Sequence, residues 1–141
     1  MINPVLPQVL NLLREHPEGI SEYRLMKTLD RAHLFDDETV SGEGLLPLYR
    51  KHFLIMNALY ELQDILWQEE DRVLEISPLH IELHERQTGR PNKREPDWYP
   101  LLSEYYLDWA YFRNTTEADI DRMMDELRQL DGGRDQDRLT H

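Results

Sequence analysis

Leu45–Trp67, LLPLYRKHFLIMNALYELQDILW, followed by Val73–His84, VLEISPLHIELH, is the part of the chain that decides its fold. In the first stretch Leu48, Phe53, Leu54, Ile55, Met56, Leu59, Tyr60, Leu62, Ile65, Leu66 and Trp67 cover well over half of a helix circumference. A helix apolar on so many sides belongs in the centre of the core, or offers its remaining face to a partner. In the second stretch the period changes. Leu74 and Ile76 alternate with Val73 and Glu75; beyond Ser77-Pro78, Leu79, Ile81 and Leu83 alternate with His80, Glu82 and His84. Period two on both sides of a turn predicts a β-hairpin with one buried face.

Upstream, Val5, Leu6, Val9, Leu10, Leu12 and Leu13 have helical spacing, with Asn3 as a candidate N-cap and Pro4 at the first helical position. Pro7 can move that start further along, Pro17 stops the helix, and Gly19 lets the chain turn. Ser21 is placed to cap a second helix carrying Tyr23, Leu25, Met26 and Leu29, and Asp36–Gly44 reads as a polar, acidic loop. Three helices followed by a hairpin are the order of a winged-helix domain. The expected fold is therefore mostly α with a small β-hairpin: a winged-helix-like part over residues 1–85, followed by two C-terminal helices.

Residues 86–97, with Gly89, Pro91 and Pro96 among charges, read as a linker or long loop. Residues 98–131 are expected to be a C-terminal helical part packing on the first. Its aromatic helix starts near Pro100, and its last helix starts at about Glu117. Thr116 can cap that last helix, and Asp119 three residues on makes a relative of the capping box. Ile120, Met123, Met124, Leu127 and Leu130 form one stripe, whose full burial would contribute on the order of 8–15 kcal/mol before ordering entropy. Gly132-Gly133 is expected to end the helix, leaving residues 132–141 as a disordered tail.

The chain has 141 residues, 16 basic and 28 acidic, for a formal charge of −12. That is the size of one compact domain with a sizeable core. Zero cysteines exclude disulfides, thiolate metal sites and a cysteine nucleophile. The first basic residue is Arg14, so a cationic leader is not expected, and no window approaches about 18 uninterrupted apolar residues. A cytoplasmic location without membrane contact is the expectation. The acidic balance also weighs against nucleic acid, whose binding relies on cations that neutralise phosphates. Arg50, Lys51 and His52 lie near the start of the third helix, but Glu61, Asp64, Glu69, Glu70 and Asp71 follow them. A winged-helix nucleic-acid binder would use Arg50 and Lys51 with the basic segment Arg86, Arg90, Lys93 and Arg94; this is the alternative reading.

Residues able to carry chemistry are sparse. His80, Glu82 and His84 are a legitimate ligand set for zinc or non-haem iron, yet the solvent face of a half-buried hairpin must be polar in any case. Gly42-Glu43-Gly44 lacks the strand, helix and lysine of a phosphate loop. Ser21, Ser41, Ser77 and Ser103 lie in cap, loop and turn-like positions, and Glu104 with Asp108 reads as a solvated edge. No enzymatic activity, cofactor or metal is expected. Tyr105, Trp109 and Phe112 have the spacing of a core face. Tyr99, Tyr106 and Tyr111 exceed what that face can hide, and they are the candidate partner-binding residues, since tyrosine combines apolar area with a polar tip.

Four blocks occur in order: His16-Pro17-Glu18-Gly19-Ile20-Ser21-Glu22-Tyr23; Lys51-His52-Phe53-Leu54-Ile55-Met56-Asn57-Ala58-Leu59-Tyr60; Leu74-Glu75-Ile76-Ser77-Pro78-Leu79; and Tyr105-Tyr106-Leu107-Asp108-Trp109. In these the chain resembles, over residues 3–130, the N-terminal region of bacterial DnaJ-related proteins, which precedes a C-terminal J domain. The resemblance implies a non-enzymatic interaction domain, related to the partner- or client-binding region of a J-domain co-chaperone, with no catalytic residues to carry over. Residues 131–141 hold no His-Pro-Asp, so a J domain is expected to be missing. The implied partner is a protein: a chaperone-system component or a client.

Overall fold

A polar residue inside an apolar helix must find a hydrogen-bond partner when it is buried, and the central helix is organised by two of them, Asn57 and Gln63. The computed structural model describes residues 2–35, 40–77, 79–85 and 100–139. Its longest early element is α3, Leu46–Glu70, packed around by α1 (Leu6–Glu15), α2 (Glu22–Arg31), β1 (Arg72–Ile76) and α4 (Pro100–Leu107), while β2 (Ile81–Glu85) pairs antiparallel with β1 and packs on α1. Beyond these come α5 (Trp109–Asn114) and α6 (Glu117–Leu139). The described structure is mostly helical with one two-stranded hairpin, in the expected order of three helices and then the hairpin.

Each polar residue of α3 fixes a different neighbour. Gln63 Nε2 donates to the Leu74 carbonyl at 2.9 Å and holds β1. Asn57, 0% exposed, accepts from Asn3 Nδ2 at 2.9 Å and donates to the Tyr106 carbonyl at 2.7 Å, joining the N-terminus to α4. Asn3 Nδ2 also reaches the Leu54 carbonyl at 2.7 Å. Asn3 is therefore not the N-cap of α1. The helix begins at Leu6, with Val5 in the cap position and Pro7 in the first turn. A start at Pro4 would have placed Pro7 where its missing N–H breaks an i→i−4 bond.

The helix stops behave as the sequence suggests. At the end of α1 the His16 backbone N–H reaches the Leu12 and Leu13 carbonyls, and its Nδ1 lies 2.9 Å from the Leu12 oxygen. Gly19 then adopts φ +103°, and a Cβ there would run into the His80 ring. The turn delivers Ile20 to the hairpin, where Ile20 and Ile81 exchange N–H···O bonds of 2.9 and 2.8 Å. Ser21 Oγ accepts from the Arg24 N–H and caps α2. In the hairpin register Leu74 faces Leu83 and Ile76 faces Ile81, and the buried Leu74, Ile81 and Leu83 close the core beneath.

Two features of the C-terminal half differ from expectation. The aromatic segment is two helices rather than one, because Asp108 leaves helical geometry and its carboxylate accepts from the Ala110 N–H at 3.0 Å. Aspartate favours such caps because it competes with the helix for its own backbone. The backbone of α6 also continues as helix through Gly132 and Gly133 to Leu139, where the sequence reading ends it and expects a disordered tail. Glycine weakens a helix by about 1 kcal/mol without sterically barring it. At the other end Thr116 and Asp119 make both bonds of a capping box: the Thr116 N–H donates to the Asp119 carboxylate at 2.9 Å and the Asp119 N–H to Thr116 Oγ1 at 3.2 Å, and the hydrogen bonds its carboxylate accepts from Thr116 hold Asp119 below its ordinary range.

Candidate functional site

Phe53, buried in the middle of α3, is where the aromatic segment packs on that helix. Its ring lies 5.5–6.2 Å from those of Tyr49, Tyr105, Tyr106, Trp109 and Phe112. Phe112 is buried, while Tyr105 and Trp109 are partly buried against the core, as their spacing predicts. Contacts of this kind contribute roughly 0.5–1.5 kcal/mol each beyond the area they bury.

Beside this cluster runs a chain of three side chains from three helices. The Glu22 carboxylate is 2.9 Å from His52 Nδ1, and His52 Nε2 is 2.7 Å from the Tyr106 hydroxyl. A carboxylate only accepts, so in the neutral imidazole Nδ1 carries the hydrogen and Nε2 accepts from the phenol. Burial, with a smaller contribution from the Glu22 charge, pushes the Tyr106 phenol up to about 12. Burial and the Tyr49 hydroxyl, to which it is hydrogen-bonded, push Tyr105 up as well. A carboxylate–imidazole–hydroxyl series has the outline of a nucleophile relay, but here the hydroxyl is held protonated, the reverse of activation. What the chain does physically is tie α2, α3 and α4 together.

Beside this chain α2 and α3 open, with α6, into an apolar groove of about 300 Å³. Glu22 and Met26 of α2, Leu45 and Leu48 at the start of α3, and Met123 and Met124 of α6 form its walls, over Tyr49, His52 and Ile120. Leu48 is 52% exposed, and Leu45, Met123 and Met124 are also exposed. The expected burial of the α6 stripe is thus corrected: Ile120 is buried, whereas Met123, Met124, Leu127 and Leu130 face outward, Leu130 at 62% exposure. The Phe53 face of α3 is already occupied by the aromatic helices, so α6 docks through its first turns and runs on past the bundle.

Of the candidate contact residues, Tyr106 and Tyr111 both pack on the Tyr105 ring, at centroid distances of 4.9 and 4.3 Å. Tyr106 stacks on Tyr60 with ring planes 12° apart and is only partly exposed, held by His52. Tyr111, 46% exposed, stacks on Tyr105 at 4.3 Å; Tyr105 in turn bonds the groove residue Tyr49. Tyr99 lies outside the described residues, as do Arg86, Arg90, Lys93 and Arg94. Arg50 donates to the Ser41 carbonyl and Lys51 pairs with Asp30 at 2.9 Å, so both are engaged within the chain.

The hairpin histidines are not gathered as a set of three. His80 sits over Gly19, 3.3 Å from Glu82. The register instead brings Glu75 beside Glu82 and His84, whose ligand atoms lie within 4.8 Å of one another. His84 Nε2 is 3.2 Å from Glu75 Oε1 without hydrogen-bond geometry. In this group Glu75 is exposed and Glu82 and His84 are half-buried, and the ionisable side chains face one another.

Sequence reasoning missed the Glu22–His52–Tyr106 and Asn3–Asn57 connections. The available signal was the presence of His52 and Asn57 inside an apolar run, where each needs a buried partner. Among the described residues no helix is long and apolar enough to cross a membrane. A family model described as DNA-J related protein matches residues 3–129. No curated protein and no solved structure matches the chain significantly.

Proposed function

The chain belongs to the DNA-J related protein family, and from that premise we propose that it is a non-enzymatic, cytoplasmic interaction domain, related to the partner- or client-binding region of a J-domain co-chaperone. The observation that carries this reading is the open apolar groove between α2, α3 and α6. Large side chains such as Leu48 and Met124 stay in water there although the sequence spaces them for burial. Exposed apolar patches rimmed by polar residues mark interaction sites. Methionine walls suit this use because an unbranched thioether can repack against differently shaped partners. The polar chain Glu22–His52–Tyr106 ties two of its walls, α2 and α3, to α4 beneath it. Tyr111 is the member of the expected contact set best placed to extend this surface, through Tyr105 and Tyr49.

The test is affinity capture from native lysate with mass spectrometry, comparing the wild-type chain with a Leu48→Glu, Met124→Glu double variant of equal thermal stability. The wild type should retain specific proteins that the variant loses. Identical capture by both, or none by either, overturns the reading. A heat-shock chaperone or a J protein among the differential partners sharpens the co-chaperone relation. A gel shift at low salt and micromolar protein should show no nucleic-acid binding, because Arg50 and Lys51 are already engaged and the chain is at −12.

A further inference from the structure

We infer that the groove takes a basic amphipathic helix from a protein partner, an inference that rests on the interaction reading above and names the chemistry of its occupant. Shape argues for a helix. The exposed α6 side chains Met123, Met124, Leu127 and Leu130 recur at helical spacing over about two turns and continue from the groove wall. An i, i+3, i+4, i+7 pattern of anchors on a partner helix meets such a stripe side by side, and the groove walls come from side chains of three helices, with no strand edge to which an extended peptide could add.

Charge decides the rest. Between Glu117 and Leu130, α6 carries five acidic and two basic side chains, and both arginines are spent on their own helix: Arg122 on Asp119 at 2.9 Å, Arg128 on Asp125 at 3.2 Å. Asp121 and Glu126 follow and precede stripe residues, and Glu22 lies in the groove wall itself. A cationic flank on the occupant is attracted to both sides of the stripe. A second copy of this chain, at −12, would bring carboxylates against carboxylates, and polyanions are repelled for the same reason.

The test uses the whole chain and three synthetic peptides of about 18 residues, some five helical turns. One has leucine and phenylalanine at helical spacing with lysine and arginine elsewhere; the second replaces every cation by glutamate; the third scrambles the first. By titration calorimetry the basic amphipathic peptide should bind at micromolar Kd, and each of the others at least about tenfold more weakly. Leu48→Glu and Met124→Glu, made separately, should each weaken the basic peptide by about tenfold or more. The Asp121→Lys, Glu126→Lys pair should weaken the basic peptide and strengthen the acidic one. Equal binding of the scrambled peptide, indifference to the charge swap, or a solution dimer that Leu48→Glu dissociates overturns the inference. If lysate partners are captured but no peptide binds, this inference falls and the interaction reading stands; if both fail, both fall.

Discussion

The aromatic helices α4–α5 and the terminal helix α6 are adjacent in the chain and both carry helical apolar spacing, yet they meet opposite fates. Tyr105, Tyr106, Trp109 and Phe112 converge on Phe53, while α6 buries Ile120 and leaves Met123 to Leu130 outward. The difference does not lie in how apolar the two stripes are. It lies in what faces them: α3 has one aromatic face, a short segment reaches it first, and three polar contacts then lock that segment down, through Asn57, His52 and Tyr49. An apolar stripe is an appetite for burial, and whether it is met inside the chain depends on a free facing surface.

The comparison breaks most sharply at Phe53. Phe53→Ala should lose about 3–5 kcal/mol of stability in denaturant unfolding, with collapse of the near-ultraviolet circular dichroism of the aromatic cluster. A loss below about 1 kcal/mol would mean that the aromatic helices are not anchored on α3. Asn57→Ala should lose about 1–3 kcal/mol, because the Tyr106 carbonyl loses its donor and Asn3 one of its acceptors. Hydrogen exchange should then rise together at the N-terminus and in α4.

Alkaline titration probes the same region more gently. Tyr60, Tyr105 and Tyr106 are all raised by burial, whereas in the unfolded chain they titrate near about 10. A phenol raised in the folded state supports folding fully below the unfolded value and loses that support as pH rises toward the folded one. The thermal midpoint should therefore be insensitive to these phenols below about pH 10 and fall from there toward pH 12 and beyond. Tyr106→Phe should fall less steeply; an unchanged slope would place the titration elsewhere. The smallest effect is expected on α6 and its groove, where Leu48→Glu and Met124→Glu should each stay within about 0.5 kcal/mol of wild type. A large loss at either would mean that this surface is packed rather than available.

Much of the fold is legible in the sequence. The change from helical period in Leu45–Trp67 to period two in Val73–His84 gives α3 and the hairpin, Ser21 and Thr116 announce their caps, and Pro17 and Gly19 mark the turn. The groove was half legible: Leu48, Met123 and Met124 are visibly apolar, but spacing alone assigns them to a core. The Glu22–His52–Tyr106 chain was not legible at all, since its members are 30 and 54 residues apart and no local pattern links them.

The amino-acid order by itself determined where helices and strands form, because capping, proline geometry and hydrophobic period act within a few residues. It also set the net charge of −12. Only the tertiary structure decided which apolar stripe is satisfied and which buried polar group holds which neighbour, because burial and hydrogen bonding belong to surfaces that meet across dozens of residues.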